Sequence, residues 1–334
     1  MNVIGTVTPT DIDRITGKLF MTEGDRARNT SAFWVLLVLS AVIASAGIVA
    51  DSTAAVIGAM IVAPLMTPIL GTALAIVLSD RSQMTRSLAL VLGGAVTVVA
   101  VGFVLGLLVP LDVVATTNGQ VAGRVSPRLV DLVAALATGL VGAFALLRSE
   151  VSDTLPGVAI AISLVPPLAV VGLTLESGAY DQAAGALLLF GTNVAAIIAT
   201  GTLLMLVAGT RHTAQEHGQQ IGELRGRTLA TVGALVVLVA VPLGLGSWNV
   251  TQEQLLVTRS QGVAAEWAEA AGWTVTDVSL RQGALHVVAI GRPPEASEET
   301  LRQALDRDGL AEVDVSVTLL YGGSRVLTAD GAEG

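Results

Sequence analysis

The chain has 334 residues, 52% of them hydrophobic and 13% charged, and its mean hydropathy is +0.73. That is roughly half the charged fraction of an ordinary soluble domain, and long apolar runs broken by short polar ones point to a polytopic membrane protein. The absence of cysteine excludes disulfides, a thiol nucleophile and cysteine-ligated metals, and the net charge of −9 resides mostly after residue 249, with no basic cluster that would grip nucleic acid.

Residues 1–30 read as a polar cytoplasmic segment with no secretory signal, because the first apolar run is too long for the core of one. Within it, "TDIDRITGKLFM" sets Ile12, Ile15 and Leu19 at helical spacing beside Arg14 and Lys18. The pattern predicts a short amphipathic helix on the membrane surface; a solvated tail is the plainer alternative.

Seven apolar segments are expected in a transmembrane domain over 31–248: Ser31–Ala50, then about 52–79, 87–109, 129–147, 154–175, 183–208 and 228–247. The first would be about 30 Å long as a helix, matching the hydrocarbon core. The polar loop 211–227 is expected to hold some helix. If all seven cross with the N-terminus inside, ten Lys and Arg residues face the cytoplasm and two, Arg124 and Arg128, face outward. Reading segments two and five as hairpins would move Arg81, Arg86 and Arg148 outside, so seven crossings are preferred, with the C-terminal domain outside.

Residues 249–334 are a different polymer, a small soluble α+β domain in the order helix, strand, strand, helix, strand. Leu256, Val263, Trp267 and Ala270 mark one face of the first helix, a turn is expected at Arg281–Gly283, and Ser297 and Gly309 bracket the second helix. Val313, Val315, Val317 and Leu319 alternate on the last strand. In element order the domain resembles the small BON-type sandwich, a likeness of shape alone.

Placing Pro64 over Pro166, a shift of 102 residues, sets Asp51 on Asp153 and segments one, two and three on four, five and six. Three crossings separate the copies, which would make repeat A (about 31–109) and repeat B (about 129–208) an inverted pair, as in many secondary transporters. The alternative is six unrelated helices with ordinary kinks.

Four prolines, Pro64, Pro68, Pro166 and Pro167, fall mid-segment. Each would free a carbonyl one turn earlier: Met60, Pro64, Ile162 and Ser163. One reading makes them broken helices meeting at the midplane, with carbonyls for a cation or half-helix N-termini for an anion. The other makes them kinks satisfied by neighbouring helices. Thr192 and Asn193 in segment six read as interhelical hydrogen bonding or as a substrate contact. Thr67 and Ser163 sit beside the prolines and can bond their own backbone. Asp51 and Asp153 read as helix caps or as gate carboxylates, one per side. Glycines at "GTALA", "GGAV" and "GLVGA" read as helix packing first.

The blocks "DSTAAVIGAMIVAPLMTPILG", "AISLVPPLAVVG" and "FGTNVAAI" resemble the domain of unknown function 389 family of bacterial and archaeal integral membrane proteins. The resemblance implies a multi-pass unit in the plasma membrane and carries no catalytic residue. The expectation is therefore an α-helical polytopic domain of about seven spans plus a C-terminal α+β domain. It would be a homo-oligomeric transporter or channel for a small solute or ion, with no enzymatic activity and no cofactor. The alternative function is a membrane-anchored sensor or scaffold acting through the C-terminal domain.

Overall fold

The computed structural model describes residues 7–21, 25–148, 164–216, 256–281, 284–294, 296–311 and 313–322. The chain divides into two compact units, Met1–Gly246 and Ser247–Gly334. The first is helical and largely apolar; the second contains a small sheet.

In the first unit, α1 is Pro9–Leu19, α2 Arg26–Val49, α3 Thr53–Val62, α4 Met66–Leu78 and α5 Arg81–Gly106. After a one-turn helix, α6 (Gly119–Ala122), come α7 (Leu129–Leu147), α8 (Val165–Glu176), α9 (Tyr180–Val207) and α10 (Thr210–Glu216). Four of these, α2, α5, α7 and α9, are long and apolar enough to cross a membrane. The pair α3 and α4 passes the same test as a unit bent by 48°. The expected second segment is therefore two helices. The seventh, 228–247, and the first part of the fifth lie outside the described residues. The helices α2 and α5 begin five and six residues before their apolar runs, because polar turns such as Arg26–Thr30 are sound helix outside hydrocarbon.

Local signals account for the helix ends. Thr8 and Asp11 form a reciprocal capping box on α1. Asp25, Ser52 and Asp80 cap α2, α3 and α5 by accepting from first-turn amides. The α4 C-terminus closes with Ser79 at φ 56, its N–H on Ile76 O at 3.1 Å and that of Asp80 on Ala75 O at 2.9 Å. The α8 C-terminus closes identically: Gly178 has φ 71 and donates to Leu175 O at 3.3 Å, and Ala179 donates to Thr174 O at 2.8 Å.

Interhelical contacts define two ends of the bundle. At one end lie α1, α10 and the C-termini of α4, α7 and α9. There Arg14 Nη2 donates to Leu146 O (3.0 Å) and Arg211 Nη1 to Val77 O (2.9 Å), each placing a cation on the last turn of a helix. At the far end, Asn118 Nδ2 donates to Ile48 O (2.7 Å), and Val113 N–H donates to Ser177 Oγ (3.1 Å). The chain thus passes between ends in α2, in α3–α4, in α5, in α7 and in α9, and Leu147 and Glu176 lie at opposite ends. Segment two does not return to the end of the bundle that it left.

The expected amphipathic helix forms as α1. Ile12 and Ile15 are each 1% exposed and belong to the main apolar core. The apolar stripe of α1 is covered by α4, α7 and α10 instead of lipid, since the bundle offers a drier and better-packed partner.

Glycine sets the closest crossings. A β-carbon on Gly102 of α5 would stand 2.7 Å from Ala169 O and 3.3 Å from Gly172 Cα of α8. On Gly201 of α9 it would meet Leu70 Cδ2 at 3.1 Å and Ala73 Cβ at 3.5 Å of α4. Gly139 of α7 meets Ile197 and Thr200 of α9, and Gly94 of α5 meets Leu65 and Leu37. Small residues that let helices approach are the expected material where apolar side chains gain nothing by leaving lipid.

In the second unit, the helix over 256–270 (α11) and α12 (Glu298–Arg307) accompany a sheet ordered β1 (Thr274–Arg281), β2 (Ala284–Gly291), β3 (Val315–Tyr321). The pair β1–β2 is antiparallel and β2–β3 parallel. Ala264, Trp267, Ala268, Trp273, Leu285, Val287, Ala289, Leu301 and Leu305 form its core. Trp267 Nε1 donates to Ser297 O at 2.9 Å, tying α11 to the start of α12. Ala270 is exposed, one position off the buried stripe that Ala264, Trp267 and Ala268 define. Gly309, at φ 82, ends α12 as expected. Val313 precedes the last strand, which begins at Val315.

Candidate functional site

The α3–α4 break is built from Ala63, Pro64 and Leu65. Ala63 is extended (φ −65, ψ 126), which ends α3, as expected of the residue before a proline. Pro68 is the third residue of α4, not a mid-helix position. Its missing N–H is one of the four that have no intrahelical partner anyway. The Pro64 carbonyl is likewise not left free, because Thr67 N–H reaches it at 3.3 Å. Pro166 and Pro167 also fall in the first turn of their helix, α8. The four prolines therefore start or precede half-helices and do not interrupt continuous ones. Pro64 is the one whose missing donor faces a preceding helix, at the Met60 carbonyl; Met60 is buried. Nearby, Ser40 Oγ of α2 donates to Ala59 O at 2.7 Å, bracing the last turns of α3.

Pro64 and Thr67 line an open cleft of about 340 Å³ between the break, the end of α1 and the first half of α2. Its other walls include Lys18, Asn29, Phe33 and Leu36. The sequence reading missed this partnership of α1 with the break. The helical spacing of Ile12, Ile15 and Leu19 marked α1 as needing a partner but not which one.

Thr192 and Asn193 are both buried in α9. Thr192 Oγ1 donates to Leu188 O and Leu189 O, both at 2.8 Å, so its hydroxyl is spent on its own helix. Asn193 is 3% exposed. The cleft lined by Pro64 and Thr67 does not include Pro166, Pro167 or Asn193. Ile162, Ser163 and Asp153 lie outside the described residues.

Asp51 is not a helix cap: it sits at φ 48, and Ser52 caps α3 through its hydroxyl on Ala55 N–H. The one-residue offset arises because Asp51 turns the chain and turns its carboxylate to another element. Asp51 Oδ1 accepts from Gln120 N–H at 3.0 Å. Gln120 Nε2 donates to Thr53 Oγ1 (2.8 Å), and Arg124 Nη1 donates to Gln120 O (2.6 Å). Burial lowers the Arg124 pKa from its usual range. Together with Asn118, these groups fasten the α5–α7 connection over the α2–α3 turn. Among the described residues no group of three or more His, Asp or Glu is placed to hold a metal.

Residues 60–199 match the family described as Domain of unknown function (DUF389). The resemblance carried by the sequence blocks is thereby found over that range. The chain is also 32% identical, over 180 residues, to the uncharacterized protein MJ0678 of Methanocaldococcus jannaschii. The alignment covers 54% of this chain and 55% of that protein, so the chain spans about half the length of this curated relative. No solved structure matches the chain.

Proposed function

We propose that the protein is an integral plasma-membrane transporter or channel for a small solute or ion, built from two inverted halves. Its N-terminus would be cytoplasmic and its C-terminal unit outside. One observation carries the reading, and it differs in register from the proline alignment. The helices α4 and α5 begin at Met66 and Arg81, and α8 and α9 begin at Val165 and Tyr180, 99 residues later in each case. The same step takes Ser79 to Gly178, the two left-handed C-caps with matching hydrogen bonds. It also takes Gly102 to Gly201, and takes Leu70 and Ala73 to Ala169 and Gly172. The contact of α5 on α8 therefore reappears as α9 on α4 with the halves exchanged. Reciprocal contacts of this kind follow from a pseudo-two-fold axis between halves. Each α4 or α8 C-terminus points to the opposite end of the bundle, which is the inverted arrangement of many secondary transporters. In this register Pro68 stands over Pro167, and Gly94, beside the first break, stands over Asn193. Asn193 is then the polar member of the pair, and the pathway would run past it and the half-helix starts.

Osmotic relaxation of liposomes carrying the full chain tests the reading. Steps of potassium chloride, sodium phosphate or glycerol should relax faster than in empty liposomes for at least one solute. Rates equal to empty liposomes across the panel would sink it. Deleting 252–334 should leave such flux measurable; abolished function in a membrane-inserted, folded deletion would favour the anchored-sensor alternative.

A further inference from the structure

The geometry points to the cleft between α1, α2 and the α3–α4 break as a binding site for one anionic phospholipid; this rests on the membrane reading above. Among the described residues lining the cleft, Lys18 carries the only charge. It is exposed in the last turn of α1 and has no ion pair among the described residues. Asn29 lies at the level where the polar first turns of α2, with Arg26 and Arg28, give way to its apolar run. Phe33 and Leu36 follow one and two turns along, so Leu36 stands about 10 Å deeper. Leu36 is 41% exposed, so the cleft opens sideways onto the apolar belt of α2 and not onto water alone. Pro64 and Thr67 close its inner wall.

A cation at the rim, a polar amide at the same level and an apolar wall descending from them match a phosphate headgroup followed by an acyl chain. A soluble anion would use the rim and leave the lower wall empty. A zwitterionic lipid would fit the wall but bring its own cation to Lys18. A lipid seated there would also touch the break directly, so it would bias how α4 sits on α3. Basic residues near a membrane surface add attraction for anionic lipid that is screened by salt.

The test is native mass spectrometry of the detergent-solubilised full chain. It is titrated with phosphatidylglycerol or with phosphatidylcholine of the same acyl chains. One phosphatidylglycerol should be retained in preference to phosphatidylcholine. Lys18→Gln should weaken retention about fivefold, the loss of one surface cation's attraction. Lys18→Arg should keep it, which separates charge from folding, and Thr67→Phe should weaken both lipids by filling the cleft. Equal retention of the two lipids, or an unchanged Lys18→Gln, would overturn the site. Displacement of phosphatidylglycerol by excess inorganic phosphate would overturn it in favour of a soluble anion. Recovery of the chain in the soluble fraction without detergent would instead remove the membrane reading on which it rests.

Discussion

The carbonyl oxygen of Ala169 lies 2.7 Å from the point where a β-carbon on Gly102 would stand. The partner is backbone, so the crossing of α5 on α8 cannot yield without moving a helix. At the exchanged position, Gly201, the nearest atom is Leu70 Cδ2 at 3.1 Å, the far end of a side chain that can turn. Gly102→Ala should therefore destabilise by about 1–3 kcal/mol, as overpacking does, while Gly201→Ala should cost clearly less. Thermal unfolding of the purified variants in one detergent checks the order. Equal costs would mean that Leu70 is held as firmly against Gly201 as the Ala169 backbone is against Gly102.

Asn118 serves two elements at once. Its Nδ2 donates to Ile48 O at 2.7 Å, at the last turn of α2, and its Oδ1 accepts from Val121 N–H at 3.0 Å. The side chain is 9% exposed, so water cannot readily replace either partner. Asn118→Ala should cost roughly 1–3 kcal/mol by leaving buried polar groups unpaired. Asn118→Asp keeps the acceptor and loses the donor, and should fall between wild type and alanine at neutral pH. Unfolding temperatures of the three chains decide it.

The pH response of α1 docking follows from Asp11. Burial alone would raise the Asp11 pKa, but hydrogen bonds from the Thr8 hydroxyl, Arg14 and the Thr8 amide, with the Arg14 charge, bring it below the usual 3.8. A depressed folded-state pKa gives stability that is present above the unfolded value and is lost as pH falls through the folded one. The stability gap between wild type and Asp11→Asn should be constant at neutral pH and shrink as pH drops below 3.8. A gap that persists into stronger acid would remove the carboxylate from the account.

Much of the helix count was legible because hydropathy reports burial in an apolar medium directly. The segment 129–147 coincides with Leu129–Leu147, and 183–208 overlaps Tyr180–Val207 almost entirely. The breaks were legible as proline pairs but not in their roles. A proline in an apolar run looks the same whether it interrupts a helix or starts one, and only the extended Ala63 and the first-turn position of Pro68 distinguish them. The same ambiguity bears on the register of the proposed repeat. Aligning Pro64 with Pro166 sets Met66 over Leu168, three residues inside α8, whereas the helix starts align at 99. The cleft was illegible because it joins residues 18, 29 and 64, and no local pattern couples an amphipathic helix to a break so far along the chain.

Sidedness is accessible because the chain has no cysteine of its own. Single cysteines at Asp13 and Gln120, exposed or near-exposed positions at opposite ends of the bundle, can be labelled in intact cells with a membrane-impermeant maleimide. Gln120→Cys should label from outside and Asp13→Cys only after permeabilisation. The reverse pattern would invert the orientation drawn from the arginine and lysine count. Labelling of both from one side would contradict the odd number of passes, α2, α3–α4 and α5, that separates the two positions.

The two prolines of the first break should behave differently from each other. Pro68 removes a donor that the first turn of α4 does not use, so Pro68→Ala should change stability by less than about 1 kcal/mol. Pro64 denies a donor to the Met60 carbonyl, and Pro64→Ala restores it, which lets α3 extend toward α4 and relaxes the 48° bend. Spin labels on Ile57→Cys and Arg81→Cys, exposed residues on either side of the bend, report this as a distance. Straightening moves their helix ends apart, so the distance distribution should shift longer in Pro64→Ala and stay put in Pro68→Ala. An unchanged distance in Pro64→Ala would mean that Leu65, packed against Gly94 and Leu37, holds the bend without the proline. The packing of α2 and α5, and not the backbone, would then be what shapes the break.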